Sequence, residues 1–214
     1  MKRRAVHRTI IVVDVEGFGD HTRIRPNQLI VRETMYRAVQ RGLRAAGVRW
    51  IRCHHADRGD GVFILAPIRT DKVRLAEALP IALAKSLRSH NSRHPPAERI
   101  RLRLAMHAGE VARDEHGATG NSINLTFRLL DAPELKSAFR RAPGVLAVIT
   151  SEWFYDEVVR HSAVAGAYQR IPVIVKETST SGWMHTVNVS NDAGSTGARI
   201  RRALAWAQLL VRRS

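Results

Sequence analysis

The apolar positions fall into short runs and helical stripes that alternate along the chain. Ile10 to Val13 is a continuous β-branched run of strand length, closed by Asp14-Val15-Glu16-Gly17-Phe18-Gly19. Pro26 to Gly47 places Leu29, Ile30, Tyr36, Val39 and Leu43 at helical spacing, with Pro26 in the first turn and Gly47 as the stop. Val48 to His54 reads as a strand. Asp57-Arg58-Gly59-Asp60-Gly61 before Val62-Phe63-Ile64-Leu65 reads as a hairpin turn and its second strand. Asp71 is a natural N-cap for a helix to about Leu87, and the polar stretch from His90 to Pro96 is a loop. Arg101 to Ala108 alternates basic and apolar residues, the pattern of a half-exposed strand, and Gly109 to Gly120 forms a loop or short hairpin. Asn121 to about Arg140 is expected to be one helix with Ile123, Leu125, Phe127, Leu129 and Leu130 as apolar positions. Val145 to Ile149 is a strand, and Ser151 caps the helix that follows. Tyr168 to Lys176 and Trp183 to Val189 are two late strands. Elements in this order, with hairpins among them, predict an α+β fold: helices packed on a mainly antiparallel sheet.

The chain has 214 residues, enough for one core with appendages. Residues 191–197 have the composition of a linker, and Ala198 to Arg213 reads as a basic amphipathic helix. That helix has three candidate places: the domain itself, a partner protein, or an anionic membrane surface. No run reaches the roughly 18 apolar residues of a membrane span. Lys2-Arg3-Arg4 precedes an apolar run too short for a signal peptide, and Cys53 is the sole cysteine, which together lead to an expected cytoplasmic location. The net charge of +16, mostly arginine, favours polyanionic partners. The basic residues are scattered, without interleaved aromatics or a nucleic-acid motif, so nucleic acid is not the expected partner.

Four positions carry candidate chemistry. Asp14 closes a buried strand, where it either caps the following loop or holds a cation. Asp60 sits in a hairpin turn, where Asp-Gly is also simply good turn chemistry. Asn124 and Arg128 lie at i and i+4 on one helix face, as an exposed pair or as groups aimed at a sugar and a phosphate. Each has a purely structural alternative when taken alone.

Taken in order, these residues resemble the catalytic domain of class III nucleotidyl cyclases, the adenylate and guanylate cyclases. Asp14-Val15-Glu16-Gly17-Phe18 is similar to the family's Asp-Ile-x-Gly-Phe signature, and Gly59-Asp60-Gly61 to its hairpin Gly-Asp. Leu104-Ala105-Met106-His107-Ala108-Gly109-Glu110-Val111 resembles its Gly-x-His-x-Gly-x-Val strand, with Ala105 replacing the usual glycine. The stretch from Gly120 to Leu129 resembles its Gly-x-x-Val-Asn-x-Ala-x-Arg-Leu helix, and Val145 to Ser151 the strand before its late helix. The likeness covers about residues 8 to 190.

The resemblance implies a ferredoxin-like cyclase core over residues 1–190. It implies two Mg²⁺ or Mn²⁺ ions per site on Asp14 and Asp60, with the Val15 carbonyl as an added ligand. The backbone of Gly17, Phe18 and Gly19 would cradle phosphates, Asn124 would orient the ribose, and Arg128 would stabilise transition-state charge. The substrate would be an NTP and the product a 3′,5′-cyclic nucleotide plus pyrophosphate. Because the family takes the aspartates from one subunit and the Asn/Arg pair from the other, a homodimer with shared sites is implied. Purine-specific members read the base with a lysine and an acidic or polar residue where this chain has Ala56 and Gly117. His55 or Asp57 would have to substitute at the first place, and Glu115 or His116 at the second. The base is therefore left open, with a pyrimidine (a cUMP or cCMP product, as in bacterial anti-phage signalling) among the alternatives. A catalytically silent nucleotide-sensing or dimerisation module of the same fold is the competing expectation.

Overall fold

The structure, a computed structural model, describes residues 5–187. Eight strands form one sheet: β1 (Val6–Val15), β2 (His54–Asp57), β3 (Gly61–Leu65), β4 (Leu102–Asp114), β5 (Gly117–Thr119), β6 (Leu146–Ser151), β7 (Gln169–Val175) and β8 (Thr178–Val187). The order is β2-β3-β1-β4-β6-β8-β7, with β5 paired to the end of β4. All described pairs are antiparallel except β4 with β6, so the expected α+β architecture on a mainly antiparallel sheet is what is found. Helices α1 (Arg25–Ala45) and α2 (Lys72–Asn91) cover one face; α3 (Asn121–Asp131) and α4 (Pro133–Arg141) cover the other. The short α5 (Glu152–Glu157) follows β6.

Central β1 explains its own sequence. Ile11, Val13 and Val15 pack with Val31, Met35, Leu43, Leu79 and Leu83 of α1 and α2. Ile10 and Val12 pack with Phe63, Ile123, Leu129, Leu135 and Phe139 on the other side. A strand covered on both faces reads as an unbroken apolar run, not as an alternation. Asp14 has the same parity as Ile10 and Val12, so it emerges on the α3/α4 face.

Local signals set most boundaries. Asp71 accepts the amide of Arg74 at 3.0 Å, and Ser151 accepts that of Phe154 at 3.1 Å, both as N-caps. Ser151→Ala is therefore expected to cost about 1 kcal/mol, measurable by urea denaturation.

Two expectations need correction. Residues 48–53 are not a strand: Gly47, at φ +78°, ends α1, with Gly47 N–H bonding the Arg44 carbonyl and Val48 N–H the Leu43 carbonyl. A 3₁₀ turn at Trp50–Arg52 then precedes β2. The helix from Asn121 is two helices, because Pro133 drives Ala132 out of helical conformation (φ −53°, ψ 124°) and starts α4. Of the two forms expected for 109–120, the short hairpin is found: β4 continues through Asp114 and folds back as β5. The linker and basic helix expected over 191–214 lie outside the described residues.

Candidate active site

The β2–β3 hairpin brings Asp60 beside Asp14. Gly61 pairs with Asp14, and a Cβ on Gly61 would lie 2.4 Å from the Val13 carbonyl oxygen. Glycine is what lets β3 approach β1 here. The Val15 amide bonds the Asp60 carbonyl at 2.9 Å, fixing the turn against the end of β1.

Asp14 is not a loop cap. Its carboxylate receives both arms of Arg103, Nε to Oδ1 at 2.9 Å and Nη2 to Oδ2 at 2.7 Å. Arg103 stands directly across from it on β4. Burial pushes the Asp14 carboxyl up to about 6 against the pull of Arg103, and the charge of Asp60 pushes the same way. The site thus holds two neighbouring carboxylates, one buried, with one guanidinium between them and neutrality. Hard oxygen donors of this kind fit Mg²⁺ or Mn²⁺, provided Arg103 shares or releases Asp14.

Gly17 turns the following loop at φ +64°, and the Asp20 amide bonds its carbonyl at 3.2 Å. A Cβ on Gly17 or Gly19 would meet nothing within 4 Å, so this backbone is open to an approaching group. Phe18 packs on the α1/α2 side of the core, anchoring the loop through its side chain. Glu16 pairs with Arg101 at 2.9 Å.

Asn124 is exposed on α3, one turn before Arg128. Arg128 gives Nη2 to Glu177 in the β7–β8 turn at 3.0 Å, while its Nε is buried without a hydrogen-bond partner. A buried N–H with no acceptor is costly, and an anionic ligand would relieve it. Among the described residues, neither aspartate hydrogen-bonds or ion-pairs with Asn124 or Arg128. The charged groups acting on Asp14 are Arg103, Asp60 and Lys136, and Arg128 turns to Glu177.

The positions considered for base recognition divide between the two faces of β2. His55 packs against Trp50, with ring centroids 4.1 Å apart and the rings tilted by 33°, while Ala56 packs toward the α3-side core. Asp57 accepts bonds from Arg32, from the Tyr36 hydroxyl at 3.2 Å and from the Gly59 amide at 3.0 Å. Chiefly Arg32 holds its carboxyl down to about 2, so Asp57 already ties the hairpin to α1. Gly117 lies at the β4–β5 turn, where Asp114 accepts the amides of His116 and Gly117 at 2.9 and 3.0 Å. Glu115 and His116 are exposed beside it, 3.7 Å apart. Arg113 donates to His54 Nδ1 at 3.2 Å, which ties this hairpin to β2.

His107 is buried, with Nδ1 2.7 Å from Ser151 Oγ. The same hydroxyl accepts the Phe154 amide, so Ser151 Oγ joins the imidazole to the start of α5. Burial holds His107 down to about 4, with His7 adding in the same direction. An unfolded histidine takes up its proton near 6.5, so the unfolded state gains protons first as pH falls. Stability is expected to drop as pH falls from about 6.5 to about 4, by up to about 1.4 kcal/mol per pH unit. Urea denaturation of His107→Gln across that window is expected to show a shallower slope.

Sequence reading missed Arg103, which its alternating strand placed on a solvent face. It missed as well the Glu177 partner of Arg128. The signal for Arg103 was the register of β4 against β1, which no local pattern records.

No protein-family model matches the chain, and no curated protein matches it. Solved structures do match in fold. The adenylate/guanylate cyclase/hydrolase from Silicibacter pomeroyi has a TM-score of 0.62 at 15% identity, over 87% of this chain and 100% of that one. The guanylyl cyclase Cya2 has 0.59 at 18% identity, over 91% and 98%. The monomeric guanylyl cyclase domain of the RhoGC fusion protein from the aquatic fungus Blastocladiella emersonii has 0.54 at 12% identity, over 86% and 97%. The protein has the fold of the class III adenylate and guanylate cyclase catalytic domains. Among the described residues no helix is long and apolar enough to cross a membrane.

Proposed function

We propose that this protein is a nucleotidyl cyclase that converts an NTP into a 3′,5′-cyclic nucleotide and pyrophosphate at sites shared between two copies of the chain. The observation that carries this reading is the pairing of Asp14 with Asp60 on one side and an Arg128 with an unsatisfied buried N–H on the other, on a cyclase fold. In this reading a second copy would bring Asn124 and Arg128 to the aspartates, with which neither pairs in its own chain. Asn124 then orients the ribose, and Arg128 takes the charge that builds on the phosphate oxygens. The 3′-oxygen forms its bond to the α-phosphorus as the bond to pyrophosphate breaks, and the hydroxyl proton passes to solvent water. Mg²⁺ or Mn²⁺ held by Asp14, Asp60 and the Val15 carbonyl would acidify that hydroxyl and neutralise the triphosphate. The open backbone at Gly17 and Gly19 receives phosphate oxygens, with Phe18 as its anchor.

Ala56 and Gly117 offer no hydrogen-bonding side chain to a base, and Asp57 is already engaged. A purine-reading pair is therefore missing, which leaves a pyrimidine nucleotide, with cUMP or cCMP as product, open as the substrate class. A role in anti-phage signalling from the cytoplasm would accompany that choice. The 1–190 region would carry the catalysis, with 191–214 as linker and basic helix toward a partner or membrane.

Arg103 on Asp14 favours a second reading, a nucleotide-sensing or dimerisation module without turnover. Calorimetric titration with each NTP beside a product assay separates the two. Binding with cyclic product supports the cyclase, and binding without product, unchanged by Asp14→Ala, supports the silent module.

A further inference from the structure

The end of the molecule opposite Asp14 has a surface that the cyclase reading does not use. In β3, Gly61 faces Asp14, whereas Leu65 at the other end pairs with Ile10 and with His54. Helices α1 and α2 run antiparallel over this sheet. A Cβ on Gly42 would touch Leu79, and one on Gly47 would lie 3.3 Å from the Arg74 guanidinium. The end of α1, the 3₁₀ turn, the β3–α2 loop and the start of α2 therefore share one pole.

Three aliphatic side chains project from that pole: Ile51 is 87% exposed, Ile68 62% and Val73 37%. Each is followed at once by a cation, Arg52, Arg69 and Arg74, all exposed. Arg49 lies on the other side of the 3₁₀ turn, and Arg41 and Arg44 line the last turns of α1. From residue 34 to residue 56 the chain has no carboxylate. The acids at this end of the sheet have partners: Asp71 caps α2, Glu77 accepts the Ala163 amide at 2.9 Å, Asp114 accepts the His116 and Gly117 amides, and Glu110 and Glu115 lie 3.5 and 3.7 Å from His7 and His116. Single exposed aliphatics are ordinary on a protein surface, but three at one pole, each beside an arginine, form a pattern.

We propose that this pole docks on an anionic lipid bilayer, with Ile51, Ile68 and Val73 entering the boundary between headgroups and acyl chains. The arginines meet lipid phosphates, and the site at Asp14 faces away from the membrane. Each cation near an anionic surface contributes about fivefold in partitioning. Nucleic acid would also suit the arginines, but it gives the projecting aliphatics no apolar phase to enter, so the bilayer is favoured.

The test is co-sedimentation of the full chain with phosphatidylcholine vesicles containing phosphatidylglycerol, against phosphatidylcholine alone. Binding to the anionic vesicles is expected. Arg49→Glu with Arg52→Glu is expected to weaken it at least about tenfold, and Ile51→Asp with Ile68→Asp by a similar factor, with melting curves unchanged. Arg25→Glu with Arg140→Glu, the same charge change elsewhere, is expected to have a much smaller effect. The proposal is overturned by no anionic-vesicle binding, by binding indifferent to the Ile51/Ile68 change, or by equal loss from the Arg25/Arg140 change. Nucleic-acid binding that the Arg49/Arg52 change removes and the Ile51/Ile68 change spares, without vesicle binding, overturns it too and assigns the surface to nucleic acid.

Discussion

Asp60→Ala and Arg128→Ala proteins are each expected to lose cyclase activity by about a hundredfold or more, and their mixture to regain about a quarter of the wild-type rate. The loss follows because each change removes a charged group that meets the phosphates or their metal ions. The recovery follows from symmetry. If subunits exchange freely, half of the dimers carry one copy of each variant. Such a dimer has one site with both defects and one with neither. The check is a product assay on the separate and mixed proteins, after native mass spectrometry has shown exchange. Exchange without recovery would place all four residues in one chain's site and remove the reason for invoking a second copy.

The second large effect concerns stability. Arg103→Met is expected to destabilise the fold by about 3 kcal/mol at pH 7.5, because it leaves the Asp14 carboxylate buried and unpaired near Asp60. Asp14→Asn combined with Arg103→Met is expected to recover much of that loss, since no buried charge then remains. Urea denaturation of the single and double variants measures the difference. The sign with pH follows from the carboxyl already raised to about 6. Removing Arg103 raises it further, so the single variant regains stability as acid protonates Asp14. A loss that stays constant down to pH 5 would show that packing of the Arg103 side chain, not charge, is what the site loses.

The parts of the fold legible in the sequence were those written within a few residues. The unbroken Ile10–Val13 run predicted a buried strand, and Asp71 and Ser151 announced their helices through bonds three residues away. The Asp57–Gly61 turn likewise gave its hairpin. What failed was either overridden locally or set by distant partners. Val48 has strand character, yet the Gly47 cap draws it back onto α1. Leu129 and Leu130 continued a helical stripe, yet Pro133 broke the helix behind them. Arg103 alternated like a surface residue, yet the β1–β4 register set it against Asp14. The role of Asp57 was hidden in the same way, because its partner Arg32 lies on the preceding helix. Asp14, Asp60, Asn124 and Arg128 could be picked out as candidates by order and spacing. Their counter-charges, Arg103 and Glu177, could not, because a sequence records side-chain types and not who faces whom across a sheet.

The most direct measurement of the central claim is the product profile from an equimolar pool of ATP, GTP, CTP and UTP with Mn²⁺, resolved by mass spectrometry. The account predicts a 3′,5′-cyclic nucleotide with matching pyrophosphate, lost in the Asp60→Ala protein. No cyclic product from any of the four, with a folded dimer shown in the same sample, would contradict it.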